Sequence, residues 1–489
     1  MRYLSTKGGS TRTAAEAIVQ GISPEGGLYV PEFFPAIDLE ALVQNAGDYR
    51  AIAKSVFNRY LTDFTADEID AVIAKSYANN FDAPEITPVV SAGQKESILE
   101  LWHGPTLAFK DIALQALPHL MTTSVKKTGE DREIYILVAT SGDTGKAALM
   151  GFCDVEGTRV LVFYPEGGVS RAQRLQMVTQ TGSNMDVCAV IGNFDDAQTR
   201  VKRIFADEEI ARELDARNMR LSSANSINFG RLLPQITYYL FAYANCVRTG
   251  TVKPGEAVNF CVPTGNFGNI LAGYYAKRMG LPVHRLLCAS NRNNVLTDFF
   301  HQGVYDSDRP FYRSMSCSID ILVSSNLERL LFEISGRDTA KVRTWMAALK
   351  ENGRYFIGEQ AQSVLPDLFY ADYCNEEDTL KTIRAFFERT GYLMDPHTAV
   401  AQTVYDRYVD KTGDATHTIL LSTANPFKFG TDVLGAFEQA AEDDFENARR
   451  LGELTGKPVP AQISELLQKP VLHGDVCTLE EMPRRVLRA

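Results

Sequence analysis

Lys110 lies in the run His103-Gly104-Pro105-Thr106-Leu107-Ala108-Phe109-Lys110-Asp111-Ile112-Ala113-Leu114-Gln115, where a Gly-Pro-Thr turn feeds an apolar helix. A lysine at the mouth of such a helix, hard against Phe109, is poorly suited to be a solvent-facing charge. Desolvation disfavours the ammonium and makes a neutral amine available for Schiff-base chemistry. Alone, the residue fits a lysine snorkelling along an apolar surface better. Other segments must decide.

Two strand-loop-helix junctions bear on that choice. In the first, Ile134 to Thr140 runs into Ser141-Gly142-Asp143-Thr144-Gly145 and then a helix. Gly145-Lys146 at a helix start superficially resembles a Walker A loop. The match fails because Thr140 replaces the first glycine and Ala147 stands where Ser or Thr should bind magnesium. What remains is a hydroxyl-rich loop at a positive helix end, suited to a carboxylate or phosphate. In the second, Val258 to Pro263 leads into Thr264-Gly265-Asn266-Phe267-Gly268-Asn269 and the helix that follows. Gly265 and Gly268 let backbone amides approach an anion. The spacing is not GxGxxG, and no acidic residue about 20 positions on could read a ribose, so a small phosphate group fits better than a dinucleotide.

An apolar lysine, a phosphate-cradling loop and a hydroxyl-rich anion loop together suggest pyridoxal 5′-phosphate. That cofactor needs an amine for its aldehyde, an anion site for its phosphate and a partner for its ring nitrogen. Ser422-Thr423-Ala424-Asn425-Pro426, after a buried strand, can supply a neutral hydroxyl to the nitrogen. A hydroxyl there favours elimination and replacement over transamination.

The elements around these loops set the expected fold. Ala14 to Ile22, Leu39 to Leu61 and Ala66 to Tyr77 have helical periodicity. From Ser97 onward, apolar strands alternate with helices, and Thr418 to Ser422 reads as a late buried strand. The pattern predicts an α/β fold of open, mostly parallel sheets covered by helices, with an N-terminal helical accessory region. The expected divisions are 1–96, mainly helical; 97–235, holding Lys110 and the Ser141–Gly145 loop; 236–435, holding the glycine loop; and 436–489, a helical extension. At 489 residues, two or three domains are expected. The formal charge of −11 argues against nucleic-acid or anionic-membrane partners but leaves room for a locally basic site. No run reaches the roughly 18 apolar residues that span a bilayer, and the start lacks signal-peptide features, so a cytoplasmic enzyme is expected. Neither the eight cysteines nor the seven histidines have metal-ligand spacing.

Nearly end to end, the chain resembles threonine synthase, within the tryptophan synthase β-like group of fold type II pyridoxal-phosphate enzymes. The lysine segment and the glycine loop carry the wider group. Tyr3 to Gly9, Asn225-Ser226-Ile227-Asn228-Phe229-Gly230-Arg231, Asp320 to Phe332 and Thr423 to Phe429 narrow it to threonine synthase.

The resemblance implies conversion of O-phospho-L-homoserine and water to L-threonine and phosphate. Lys110, beside Phe109, would hold the cofactor and shuttle protons. Gly265, Asn266, Phe267, Gly268 and Asn269 would cradle its phosphate, Thr423 would face its ring nitrogen, and Asp143 would lie near its phenolic oxygen. Ser141 and Thr144 would grip the substrate carboxylate, and Asn225 and Arg231 the leaving phosphate. His103 is a further candidate beside the cofactor phosphate, whereas His397, in Asp395-Pro396-His397-Thr398, is expected to be structural. Where the family reads Thr-Ala-His-Pro-Ala-Lys-Phe, this chain has Asn425 for the histidine and Phe427 for the alanine. The alternatives are another β-eliminating enzyme, such as a threonine dehydratase, and a non-catalytic homologue. The oligomeric state is left open.

Overall fold

The computed structural model describes residues 1–140 and 142–488, with Asp195 described by its backbone alone. The strands form two mainly parallel sheets and two short antiparallel ribbons among the described residues. The larger sheet has the order Phe369–Tyr373, Val283–Ser290, Val258–Pro263, Thr418–Ser422, Glu96–Glu100, Val89–Ser91, with only the last pair antiparallel. The smaller has the order Asp475–Thr478, Met185–Ile191, Thr158–Pro165, Glu133–Ala139, Met219–Ser222, parallel throughout. Parallel strands need long crossovers, here helical, and burial on both faces makes them continuous apolar runs. Val258–Pro263 and Thr418–Ser422 are accordingly buried at every position.

Each sheet draws strands from distant parts of the chain. Glu96–Glu100, just ahead of the lysine segment, pairs with Thr418–Ser422 in the larger sheet. Asp475–Thr478, in the extension read as helical, forms the edge of the smaller one.

The N-terminal region holds the helices Ala14–Gln20, Leu39–Gln44, Tyr49–Tyr60 and Ala66–Ser76. Periodicity over 39–61 reads as one helix, but the chain stops at Asn45 and restarts where the Asp48 carboxylate accepts the Ala51 N–H. Thr65 and Glu68 form a capping box on the last of the four. The helix Phe229–Arg248 is buried from Phe229 to Cys246. Its buried stretch includes the polar side chains Arg231, Gln235, Thr237 and Asn245.

Candidate active site

The turn before Lys110 is held by Asp111, a fully buried carboxylate. It accepts the Thr106 N–H at 2.8 Å and the Thr106 hydroxyl at 2.6 Å. A Cβ at Gly104 would fall 2.5 Å from the Asp111 Cβ, so only glycine fits the turn. The next residues dock on the end of the strand Thr418–Ser422. Phe109 N–H donates to the Thr423 carbonyl at 2.9 Å, and Asn425 N–H to the Leu107 carbonyl at 3.0 Å. Lys110, Phe109 and Thr423 are thus brought together across more than 300 positions of sequence by backbone pairing.

The Lys110 amine has polar partners where the sequence led us to expect an apolar setting. Nζ lies 3.2 Å from Asp143 Oδ2 and 3.3 Å from Ser318 Oγ, with the Phe109 ring centroid at 5.7 Å. Lys428, almost wholly buried, places its Nζ 2.9 Å from Asp143 Oδ1 and donates to the Thr106 carbonyl at 2.8 Å. The contact with Oδ1 is a close charge pairing that is poorly aligned as a hydrogen bond. Burial alone would push the Asp143 carboxyl up, but Lys110 and Lys428 outweigh it and hold Asp143 well below the usual carboxylate range. The site therefore contains a fixed anion between two ammonium groups.

Ser318 completes this cluster by donating to Asp143 Oδ2 at 2.7 Å. Its backbone N–H donates to His397 Nε2 at 3.1 Å, and His397 Nδ1 lies 2.6 Å from Asp395 Oδ2. Asp320, just beyond, accepts from Asn291, Asn293 and both the N–H and hydroxyl of Ser314. On its other side the Cys317–Ile319 turn lies against Gly265, where a Cβ would fall 2.9 Å from the Ile319 Cα. One turn thus touches both the lysine cluster and the glycine loop.

That loop joins the strand Val258–Pro263 to the helix Gly268–Arg278, with Phe267 at φ 64°. The N–H groups of Gly265, Asn266, Phe267, Gly268 and Asn269 have no hydrogen-bond partner among the described residues. The hydroxyls of Tyr238 and Tyr239 donate to Asn269 Oδ1 at 2.6 and 2.9 Å, which leaves its buried Nδ2 unpartnered. Five free amides at a helix N-terminus plus an orphaned buried donor suit a phosphate dianion. The Phe267 ring packs against Phe300, stacked at 6.0 Å, and Phe369, tilted at 6.0 Å, so it contributes to the loop through its backbone.

The other anion loop is only partly available for binding. Thr140 Oγ1 accepts the N–H groups of Gly142 and Gly145, both at 3.0 Å. Thr144 lies half-buried in the first turn of the helix Asp143–Phe152. Ser141 lies outside the described residues. Asn225 is exposed, whereas Arg231 is buried, with Nη1 donating to the Ala224 carbonyl at 2.5 Å and Nε unpartnered. Burial pulls the Arg231 guanidinium down to about 10.

His103 stands between two acidic side chains. Its ring is gripped by Asp82 Oδ1 at 2.5 Å and Glu100 Oε2 at 2.9 Å, two carboxylates that would repel a phosphate. The sequence reading missed Ser318 and Lys428. Ser318 reaches Lys110 across 208 positions from a segment without a motif. Lys428, in contrast, stands inside the Thr423–Phe429 run, where a buried cation next to a lysine site was there to be asked about.

The fold and this cluster define a fold type II pyridoxal-phosphate-dependent enzyme, and the family model for pyridoxal-phosphate-dependent enzymes matches residues 85–423. The threonine synthase N-terminus model matches residues 2–77 and the threonine synthase C-terminal model residues 398–486. Yeast (Saccharomyces cerevisiae) threonine synthase is 35% identical over 474 residues, which is 91% of this chain and 90% of the yeast protein. A human protein named threonine synthase-like 1 is 39% identical over 440 residues; the match takes in 88% of this chain but spans only 58% of the human protein's length. The pyridoxal-phosphate-bound threonine synthase of Brucella melitensis superimposes with a TM-score of 0.89 at 35% identity, covering 100% of this chain and 99% of that one. The chain belongs to the threonine synthase family.

Proposed function

We propose that the protein converts O-phospho-L-homoserine and water to L-threonine and phosphate, with pyridoxal 5′-phosphate held by Lys110. The observation that carries this reading is the Cys317–Ile319 turn, which joins the Lys110–Asp143–Lys428 cluster to the loop of five free amides. When bound, the cofactor supplies an electron sink that acidifies the carbons near the substrate nitrogen.

The protein's own groups then have defined tasks. Gly265 to Asn269 bind the cofactor phosphate, Phe109 flanks Lys110, and Thr423 offers a neutral hydroxyl to the ring nitrogen. Ser141 and Thr144 hold the substrate carboxylate. Lys110 takes a proton from Cα and moves protons at Cβ and Cγ, while Asp143, charged and anchored by Lys428, orients the amine beside the phenolic oxygen. Asn225 and Arg231 receive the departing phosphate, which a guanidinium can pair bidentately. Water must be kept out until phosphate has left Cγ, then admitted at Cβ, so closure around residues 141–145 belongs to the proposal. A cytoplasmic location belongs to it too, as do the divisions at 96, 235 and 435.

The test is to incubate the cofactor-loaded protein with O-phospho-L-homoserine and measure threonine and phosphate together. Equal release of both, abolished in Lys110→Ala, is the expected result. Phosphate without threonine would mean elimination without hydration. Neither product, from folded and loaded protein, overturns the proposal.

A further inference from the structure

Arg329 is among the largest side chains that the fold buries completely, and its partners are neutral. Nε donates to the Tyr29 carbonyl at 2.9 Å, Nη2 to the Ile227 carbonyl at 2.5 Å, and Nη1 to Asn326 Oδ1. Those acceptors lie in three separate pieces of the chain. Tyr29 is in the N-terminal antiparallel ribbon of Tyr3–Ser5 and Tyr29–Pro31, Ile227 in the Asn225–Arg231 segment, and Asn326 just ahead of the helix Leu327–Ile334 that carries Arg329.

A guanidinium is a donor only, so Asn326 must turn its oxygen toward Arg329 and its Nδ2 away. Nδ2 then donates to Ser226 Oγ and to the Asn266 carbonyl, both at 3.1 Å. The Asn326 N–H adds a second bond to the same carbonyl at 3.1 Å, and Ser324 Oγ donates to the Gly265 carbonyl at 2.7 Å. In a planar trans peptide a carbonyl and the following N–H point in opposite directions. Fixing the carbonyls of Gly265 and Asn266 on this side therefore aims the N–H groups of Asn266 and Phe267 to the other.

We infer that Arg329 is a positioning residue for the cofactor phosphate: by setting the Asn326 amide it orients the Asn266 and Phe267 N–H groups. It also ties that orientation to the N-terminal ribbon and to the Asn225–Arg231 segment. The inference rests on the reading of Gly265 to Asn269 as the phosphate cradle.

The experiment compares binding of pyridoxal 5′-phosphate and of pyridoxal, which has the same ring and aldehyde without the phosphate, to apo-protein. Arg329→Lys keeps the charge but cannot span three acceptors. Asn326→Ala removes the side-chain amide that links Arg329 to Ser226 and the Asn266 carbonyl while leaving the Arg329 bonds to Tyr29 and Ile227 in place, and circular dichroism checks the folding of both variants. Each variant should lose at least about ten-fold in affinity for pyridoxal 5′-phosphate, the scale of a lost charge-assisted contact, and keep its affinity for pyridoxal. Equal losses for both ligands, or an unchanged pyridoxal 5′-phosphate affinity in either folded variant, would overturn the inference. Equal affinity of the wild-type protein for both ligands would instead sink the cradle reading beneath it.

Discussion

The imidazole of His397 accepts the backbone N–H of Ser318 at 3.1 Å. Its other nitrogen faces Asp395, so the ring presents Nδ1–H to the carboxylate and a lone pair to the peptide. Asp395 also accepts the N–H groups of His397 and Thr398, and the ring packs edge-on against Phe429 at 5.0 Å. His397 is thus occupied in holding the turn that brings Ser318 within reach of Lys110.

A structural acceptor and a general base respond differently to an amide. Gln at 397 can present its oxygen where Nε2 stood, so His397→Gln should keep activity within a few-fold of wild type. His397→Ala strands the Ser318 N–H, worth about 1–3 kcal/mol, and should lower kcat by about ten-fold or more. Both should keep the wild-type pH–rate profile. If His397 were the base, both would fall by about 10²–10⁴ together.

Asp143 offers a test with a defined pH window. Asp143→Asn leaves two ammonium groups uncompensated in a buried site, a loss on the order of 3–5 kcal/mol by analogy with broken buried pairs. A lower melting temperature and a large fall in kcat/KM should follow. The folded carboxyl titrates well below its unfolded value of about 3.9, so its contribution is fully present above that pH and is lost as pH falls through the depressed value. Melting curves of apo-protein should show a gap between wild type and variant that is constant from neutrality to about pH 4 and narrows only in stronger acid.

Much of this site could be read from the sequence because its parts are local. The Gly104-Pro105-Thr106 turn, the glycine loop and the strand ending at Ser422 each announce themselves within a dozen residues. Ser318 does not, since its placement depends on Asp320, Asn291, Asn293 and His397 converging from three segments. The same limit applies to sheet membership. The alternation of strand and helix is a local pattern, but the pairing of Glu96–Glu100 with Thr418–Ser422 is a contact between ends of the chain. The polar surroundings of Lys110 were missed for this reason too, because Asp143 and Ser318 arrive from elsewhere.

His103 predicts the opposite pH dependence from Asp143. Burial acts to lower its pKa, but hydrogen bonds to Asp82 and Glu100 prevail and raise it to about 9. A raised folded value means that stabilisation is complete below the unfolded pKa of about 6.5 and disappears as pH rises through about 9. The difference in melting temperature between wild type and His103→Gln should accordingly be greatest at pH 6 and vanish by about pH 10. Affinity for pyridoxal 5′-phosphate should not change, since the ring faces two carboxylates.

The two departures from the family's Thr-Ala-His-Pro-Ala-Lys-Phe pattern bear on stability more than on chemistry. Asn425 Oδ1 accepts the Phe427 N–H at 3.0 Å and so caps the 3₁₀ turn Pro426–Phe429 that carries Lys428. Asn425→Ala should therefore cost about 1 kcal/mol, the usual worth of such a cap, and lower kcat slightly as Lys428 loosens against Asp143. The Phe427 side chain, in contrast, is buried in the cluster that includes Leu434, Ala448, Leu451 and Ile463. Phe427→Ala should cost about 3 kcal/mol by loss of buried area and the cavity left behind. If Lys428 stays at Asp143, the folded variant should turn over substrate at close to the wild-type rate. Urea unfolding midpoints and kcat measured on the same samples separate the two effects. A Phe427→Ala protein that unfolds at the wild-type midpoint but has lost its rate would show that the ring acts on the chemistry after all.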